Sequence, residues 1–171
     1  MCHCAGEDTA LVWGKAAKQE HAHAQSNLGF MYDQGHGVKQ DYSKAREWWE
    51  KAAKQGHAEA QFNLGTMYEN GEGVEQDSSK AKEWYEKAAK KGVEEAQLNL
   101  GSMYKGGDSV EQNYSKAREW YTMAAKQGDA DAQCTLGAMY EHGQGVKQDY
   151  SKAVKWYEKA AKQDHATAPV S

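Results

Sequence analysis

The chain has 171 residues, of which 39% are hydrophobic and 27% charged, and its formal net charge is −4. This length favours a single domain, and six Trp and ten Tyr with only one Pro argue against disorder despite a mean hydropathy of −0.99. No apolar run reaches the roughly 18 to 20 residues that span a bilayer, and the N-terminal residues lack a signal-peptide pattern. With three Cys, two of them in the N-terminal tail, no disulfide framework is indicated, so we expect a cytoplasmic, non-transmembrane protein.

A unit of 36 residues recurs along the chain, and such a repeat decides the fold before any single element is assigned. A glycine, a tyrosine and a tryptophan each return at this spacing. The recurring residues are Gly29, Gly65, Gly101 and Gly137, then Tyr32, Tyr68, Tyr104 and Tyr140, and then Trp48, Trp84, Trp120 and Trp156.

Each unit contains two apolar stripes of helical period. In the first unit, one stripe predicts a helix A and the next predicts a helix B. The stripe of helix A is Ala24, Leu28, Met31 and Tyr32, and the stripe of helix B is Ala45, Trp48, Trp49, Ala52 and Ala53. The residues that suit helix-B N-caps are Asp41, Asp77, Asn113 and Asp149, and those that suit its C-terminal end are Gly56, Gly92 and Gly128. Helix pairs joined by short glycine loops predict an α/α solenoid.

The predicted elements follow one another along a single domain at 11–168. A flexible tail at 1–10 precedes a partial helix B, and four whole units are followed by the start of another helix A and a short tail. The partial helix B is placed at 11–20, the units at about 22–56, 58–92, 94–128 and 130–164, the truncated helix A at 165–168, and the tail at 169–171.

Two recurrent glycine patterns are assigned structural roles. The glycine inside helix A costs about 1 kcal/mol relative to alanine, so we expect a close approach of helix B, with its Trp packed over the glycine. The G-x-G loops, such as Gly35 and Gly37, are superficially similar to phosphate-binding loops. Because they follow a helix rather than a strand, a nucleotide site is not predicted.

The unit from Ala58 to Gly92 reads AEAQFNLGTMYENGEGVEQDSSKAKEWYEKAAKKG, and its copies begin at Ala22, Glu94 and Ala130. This motif resembles the Sel-one-like repeat family, relatives of the tetratricopeptide repeats, over about residues 11–168. The resemblance implies an all-α, right-handed superhelical solenoid with helix A on the concave side, used as a scaffold or adaptor for protein partners. A cysteine-rich branch of the family is linked to β-lactam binding. Only Cys134 lies inside a repeat here, so that enzymatic activity is a remote alternative.

The side of helix A opposite its buried stripe is the candidate binding face, at positions 23, 26, 27, 30, 33 and 34 of the first unit. An asparagine at one of these positions in three units can donate to and accept from the backbone of an extended peptide, and neighbouring apolar residues can hold its side chains. The predicted groove consists of Asn27, Phe30, Phe62, Asn63, Leu98 and Asn99. The alternative is that these residues serve packing between repeats.

Charge divides between the two helices of the unit. Helix A carries seven acidic residues against one Lys, whereas helix B carries 16 Lys and Arg against six Glu. The acidic residues Glu59, Glu95 and Asp131 therefore belong to the predicted binding face, which favours a neutral or basic peptide and disfavours nucleic acid. For the basic surface of helix B, one interpretation is contact with anionic lipid, RNA or an acidic protein. The favoured interpretation is ordinary i,i+4 pairing, such as Arg46 with Glu50.

No arrangement of residues predicts catalysis, a metal site or a cofactor. His21 and His23 diverge by about 200° on a helix, and Cys2, His3 and Cys4 lack further ligands for a tetrahedral site. The sequence therefore predicts a non-enzymatic adaptor. The alternative is an assembly module that associates end to end through exposed residues such as Trp156 and Tyr157, or through the basic helix-B surface.

Overall fold

The computed structural model describes residues 21–107 and 110–166, which form eight α-helices and no strand. The helices are α1 (Ala22–Gln34), α2 (Tyr42–Lys54), α3 (Ala58–Asn70), α4 (Ser78–Lys90), α5 (Glu94–Gly106), α6 (Tyr114–Gln127), α7 (Ala130–His142) and α8 (Tyr150–Ala166). The chain divides between Val93 and Glu94 into two compact units, the first with α1–α4 and the second with α5–α8. The predicted elements at 1–20 and 167–171 lie outside the described residues.

Within each unit, every helix A packs against the helix B that follows it, and the first helix B packs against the next helix A. In the first unit α1 contacts α2, α2 contacts α3, and α3 contacts α4; the second unit repeats this order with α5–α8. This packing confirms the predicted all-α helix-turn-helix repeats.

The core of each unit is built from alanines and a few large side chains. In the first unit a buried cluster joins α2 and α3, with Trp84 of α4 packed partly against it. The cluster consists of Ala45, Trp49, Ala52, Ala53, Ala60, Leu64 and Met67. Alanine at the contact positions lets the helices approach closely, which places the larger Leu, Met and aromatic side chains between them.

The glycine inside each helix A lies directly beneath an aromatic ring of helix B. A Cβ atom on Gly65 would come within 2.5 Å of the Tyr85 ring, and one on Gly29 within 2.6 Å of the Trp49 ring. Tyr121 and Tyr157 cover the equivalent glycines of the second unit. The ring therefore belongs to the residue after the recurrent tryptophan. This residue faces helix A because it lies a further 100° around helix B than the recurrent tryptophan. The prediction that a Trp covers the glycine is therefore correct only in the first repeat, where this residue is Trp49. In the other repeats it is a Tyr.

The predicted helix ends are found in the structure. The side chains of Asp41, Asp77, Asn113 and Asp149 each accept the backbone N–H three residues later, at 3.0 Å. Gly56, Gly92 and Gly128 have φ angles of 85°, 93° and 116°, in the left-handed region that favours glycine.

The G-x-G loops serve the packing of one repeat against the previous one. Gly73 lies in the loop after α3, and a Cβ on it would be 2.6 Å from the Cβ of Tyr42, the first residue of α2. A Cβ on Gly145 would likewise lie 2.5 Å from the backbone carbonyl carbon of Tyr114. Within the loop, the Gln40 amide donates to the Asp33 carbonyl at 2.7 Å, and the same bond recurs in each repeat.

The last repeat ends differently from its prediction. Residues 165 and 166, predicted to start a further helix A, belong to α8, which continues to Ala166. At the position of Gly56, Gly92 and Gly128 the last repeat has Asp164, so it lacks the glycine that reverses the chain in the other repeats.

A buried glutamine near the start of each helix A, at positions 25, 61, 97 and 133, hydrogen-bonds to residues at a helix-B end. Gln133 donates to the Ala125 carbonyl at 3.1 Å and accepts from Gln163 at 3.0 Å. Gln61 makes the first of these bonds, to Ala53, but its side-chain oxygen has no donor because Lys91 replaces the second glutamine. The second repeat therefore contains a buried acceptor that the others satisfy.

Two histidines meet at the junction of the first two repeats. His57 is the N-cap of α3, and its Nδ1 accepts the Ala60 backbone N–H at 3.3 Å. The proton of neutral His57 therefore lies on Nε2, which donates to Nδ1 of His23 at 3.0 Å. Burial lowers the pKa of His57, the nearby His23 lowers it further, and Glu59 opposes both effects.

We expect the stability of the protein to fall as the pH drops below about 6.5, the ordinary His pKa. The unfolded chain takes up a proton on His57 there, while the folded chain resists it until its own lower pKa is passed. His57→Asn keeps an N-cap without the charge, so its melting temperature should fall less between pH 7.5 and 5.5 than that of the original protein. His142→Asn, on an exposed site, is the control; an unchanged pH slope in His57→Asn would contradict the assignment.

Candidate functional site

The helix-A face of the first unit is formed by the outer sides of α1 and α3. Asn27 is exposed and the Phe30 side chain is 49% exposed, with its ring 5.8 Å from that of His36. On α3, Phe62 and Asn63 are half-buried. The four residues thus combine two amides with two aromatic rings, on the side of the helices away from Leu28 and Leu64.

Two positions of this face differ from their prediction. Ser26 is buried, because Trp49 lies over it and donates its indole N–H to the Ser26 carbonyl at 3.1 Å. Phe62 is not fully directed away from the core of its repeat, since its ring lies 5.6 Å from that of Tyr85. The two rings are tilted by 34° relative to each other, and Phe62 is half-buried while Tyr85 is fully buried.

The helix-A face of the second unit is less apolar. Leu98 and Asn99 are half-buried on α5, and α7 contributes Asp131, Cys134 and Thr135 at corresponding positions, the first two of them exposed. The six predicted groove residues therefore fall into two groups, with Asn27, Phe30, Phe62 and Asn63 in the first unit and Leu98 and Asn99 in the second.

The acidic residues of this face have two different roles. Glu59, Glu95 and Asp131 are exposed in the first turns of their helices, where a carboxylate also interacts favourably with the helix dipole. Glu69 instead accepts the Tyr85 hydroxyl at 2.6 Å, and Glu141 accepts that of Tyr157 at 2.8 Å.

The hydrogen bond to Glu141 raises the pKa of Tyr157, with burial and the Glu141 charge as smaller causes. On the helix-A face, Glu69 and Glu141 are thus bonded to tyrosine hydroxyls, whereas Glu59, Glu95 and Asp131 are exposed.

Over residues 21–107 and 110–166 there is no group of three or more His, Cys, Asp or Glu side chains arranged to hold a metal ion. None of the helices in these ranges has the length and hydrophobicity of a membrane-spanning segment. The predicted tail residues Cys2, His3 and Cys4 lie outside the described residues.

A set of stacked lysine and aromatic side chains on helix B was not anticipated from the sequence. The ammonium groups of Lys51, Lys87 and Lys159 lie 4.0, 3.9 and 4.2 Å from the ring centroids of Trp48, Trp84 and Trp156. The signal in the sequence is a lysine three residues after each of these tryptophans, a spacing that brings two helical side chains together. In the third repeat Met123 replaces this lysine beside Trp120.

Comparison with known proteins assigns the repeat. The Sel1 repeat model matches residues 22–57, 58–93, 94–129 and 130–165. The chain is 42% identical to a protective antigen of uropathogenic Escherichia coli that displays an SLR fold, with a TM-score of 0.85. That match covers 90% of this chain and 33% of the antigen, so the chain spans about a third of that protein.

A Sel1 repeat protein from Oxalobacter formigenes is 36% identical, with a TM-score of 0.83 over 92% of this chain and 70% of its own. Cysteine-rich protein B of Helicobacter pylori is 26% identical, with a TM-score of 0.50 over 68% of this chain and 89% of its own. A comparison with curated proteins gave no match.

Sel1 repeats are generally non-catalytic scaffolds that mediate protein–protein interaction. Four consecutive matches account for nearly every described residue, and each coincides with one of the helix pairs described above. The chain belongs to the Sel1 repeat family.

Proposed function

We propose that the protein is an adaptor that binds a peptide or protein segment on its helix-A face, with Phe30 as the principal apolar contact. The observation that carries this proposal is the exposure of Phe30 beside Asn27 on a helix whose opposite side is fully packed. A large aromatic side chain left half in water contributes little to folding, whereas burial in a complex would recover about 1 to 2 kcal/mol.

Amide side chains support an extended ligand. Asn27 and Asn63 occupy equivalent positions in successive helices of the first unit, so they offer matched donors and acceptors to a peptide that crosses both helices. Glu59 lies at the start of α3 on the exposed side, and Glu95 and Asp131 take its place in the second unit. This charge favours a neutral or basic segment over an acidic one.

A phage-displayed library of random peptides, panned against the protein, tests the proposal without knowledge of the natural partner. We expect the selected peptides to be neutral or basic. Their affinity, measured by calorimetry, should fall about tenfold with Phe30→Ser, because the apolar contact is lost. Asn63→Ala should weaken them by a smaller factor.

Met123 provides the matched control, because it is also a large apolar side chain, 46% exposed, but lies on helix B. Met123→Ser should leave the affinities unchanged. An equal loss in Met123→Ser, or none in Phe30→Ser, would place the binding surface elsewhere.

Self-association through the outer side of α8 is a second candidate function. Tyr157 is 37% exposed and Val154 54%, whereas Tyr85 and Tyr121, the counterparts of Tyr157, are buried. The counterparts of Val154 are Arg46, Lys82 and Arg118, so this side of α8 is more apolar than in the other repeats. A helix A from another Sel1 repeat could pack against this side of α8, because α3 packs against α2 and α7 packs against α6 within the protein.

Sedimentation velocity over a range of concentrations tests this association. We expect Val154→Arg, which restores the residue type of the other repeats, to shift the protein towards the monomer. Met123→Arg introduces the same charge at another exposed apolar site and should have no effect. A monomeric original protein at every concentration would rule the association out.

A further inference from the structure

A second side of α8, whose residues include neither Val154 nor Tyr157, carries a basic hollow outside the helix-A face. The hollow has a volume of about 360 Å³. Its lining residues are Lys152, Lys155, Trp156, Glu158, Lys159 and Lys162, all from this one helix. We refer to these six residues as the basic face of α8. The four lysines are exposed, and with one glutamate they give the face a net charge of +3.

The other three repeats show how unusual this charge is. Where α8 has Lys155, α2 has Glu47, α4 has Glu83 and α6 has Glu119. The six equivalent residues carry a net charge of +1 in each of those helices. Between α4 and α8 the set differs at this position alone, so Lys155 by itself converts a nearly balanced surface into a basic one.

Two of the four lysines of this face, Lys152 and Lys159, contact neighbouring groups. Lys152 pairs with the N-cap Asp149 at 3.3 Å, which offsets its charge locally. Lys159 lies over the Trp156 ring, 4.2 Å from its centroid, so its ammonium group is held in position at the centre of the face. Lys155, Lys159 and Lys162 follow i, i+4, i+7 spacing, and therefore present three cations along one side of the helix.

We propose that the basic face of α8 binds a short acidic segment of a partner protein. Carboxylates of successive Asp or Glu residues would pair with Lys155, Lys159 and Lys162. The hollow beside Trp156 would accept the aliphatic part of one of these side chains. Exposed ion pairs contribute modestly each, so the complex is weak, forms fast and depends strongly on salt.

An acidic protein segment fits this face better than nucleic acid does. Nucleic-acid surfaces combine cations with aromatic rings on which bases stack, but the single ring here, Trp156, already has the Lys159 ammonium over it. The protein as a whole carries a charge of −4, which repels a long polyanion more than a short acidic segment. This binding is independent of the helix-A face and would allow one chain to hold two different partners.

Fluorescence anisotropy with a labelled hexaglutamate peptide tests the proposal on the full chain. We expect binding at about 20 mM salt that weakens several-fold at about 200 mM. Lys155→Glu should reduce the affinity about tenfold or more, because it gives α8 the charge of the other helices B. Adding Glu83→Lys to this variant gives α4 the same six residue types as α8, and it should restore binding while returning the net charge to −4.

Lys90→Glu changes the net charge by the same amount as Lys155→Glu, on an exposed position of α4, and should have little effect. If it weakens binding as much, the peptide responds to overall charge and the proposal is wrong. Failure to bind hexaglutamate at millimolar concentration would also overturn it. Tighter, Lys155-dependent binding of a six-residue oligothymidylate at the same salt would identify nucleic acid as the ligand instead. Circular dichroism of each variant verifies that the helices are intact.

Discussion

The contact between the helix-A glycine and the aromatic ring of helix B sets the geometry of the whole repeat. The ring lies where a Cβ atom would be, so the two helices approach more closely than any other residue at that position would permit. Every further feature depends on this approach: the alanine-lined core, the buried glutamines that reach neighbouring helices, and the loops whose second glycine contacts the previous repeat. A glycine that is unfavourable for an isolated helix is thus required by the pair.

The same contact separates the surfaces for which we propose partners. One side of helix A is committed to the ring and the core, which leaves the side with Asn27, Phe30 and Asn63 for a partner. On helix B the ring residue faces inward, so the tryptophan before it lies at the surface under a lysine. A repeat protein can therefore vary these outer positions one repeat at a time without changing the fold, as Lys155 and Met123 illustrate.

The recurrence of the 36-residue unit predicted the helices and their caps, and the resemblance of its motif to Sel-one-like repeats indicated the family. The recurrence did not decide which of two adjacent aromatic residues covers the glycine, since Trp48 and Trp49 both belong to one wide stripe. Contacts between different elements could not be predicted either, because a helical wheel describes only one helix. Examples are the hydrogen bond between His23 and His57 and the contact of the Phe62 ring with Tyr85. At the end of α8, Asp164 in place of glycine was a visible signal whose consequence, a longer helix, was missed. The helix-A face remains a prediction until a partner is tested.

The most direct measurement of the central contact is the free energy of unfolding of Gly65→Ala in urea. In a helix without tertiary contacts this substitution stabilises by about 1 kcal/mol. Because the new methyl group would overlap the buried Tyr85 ring, we expect the opposite sign here, a loss of about 1 to 3 kcal/mol. A gain in stability would show that the ring does not hold the helices at this distance, and would contradict the account of the repeat given above.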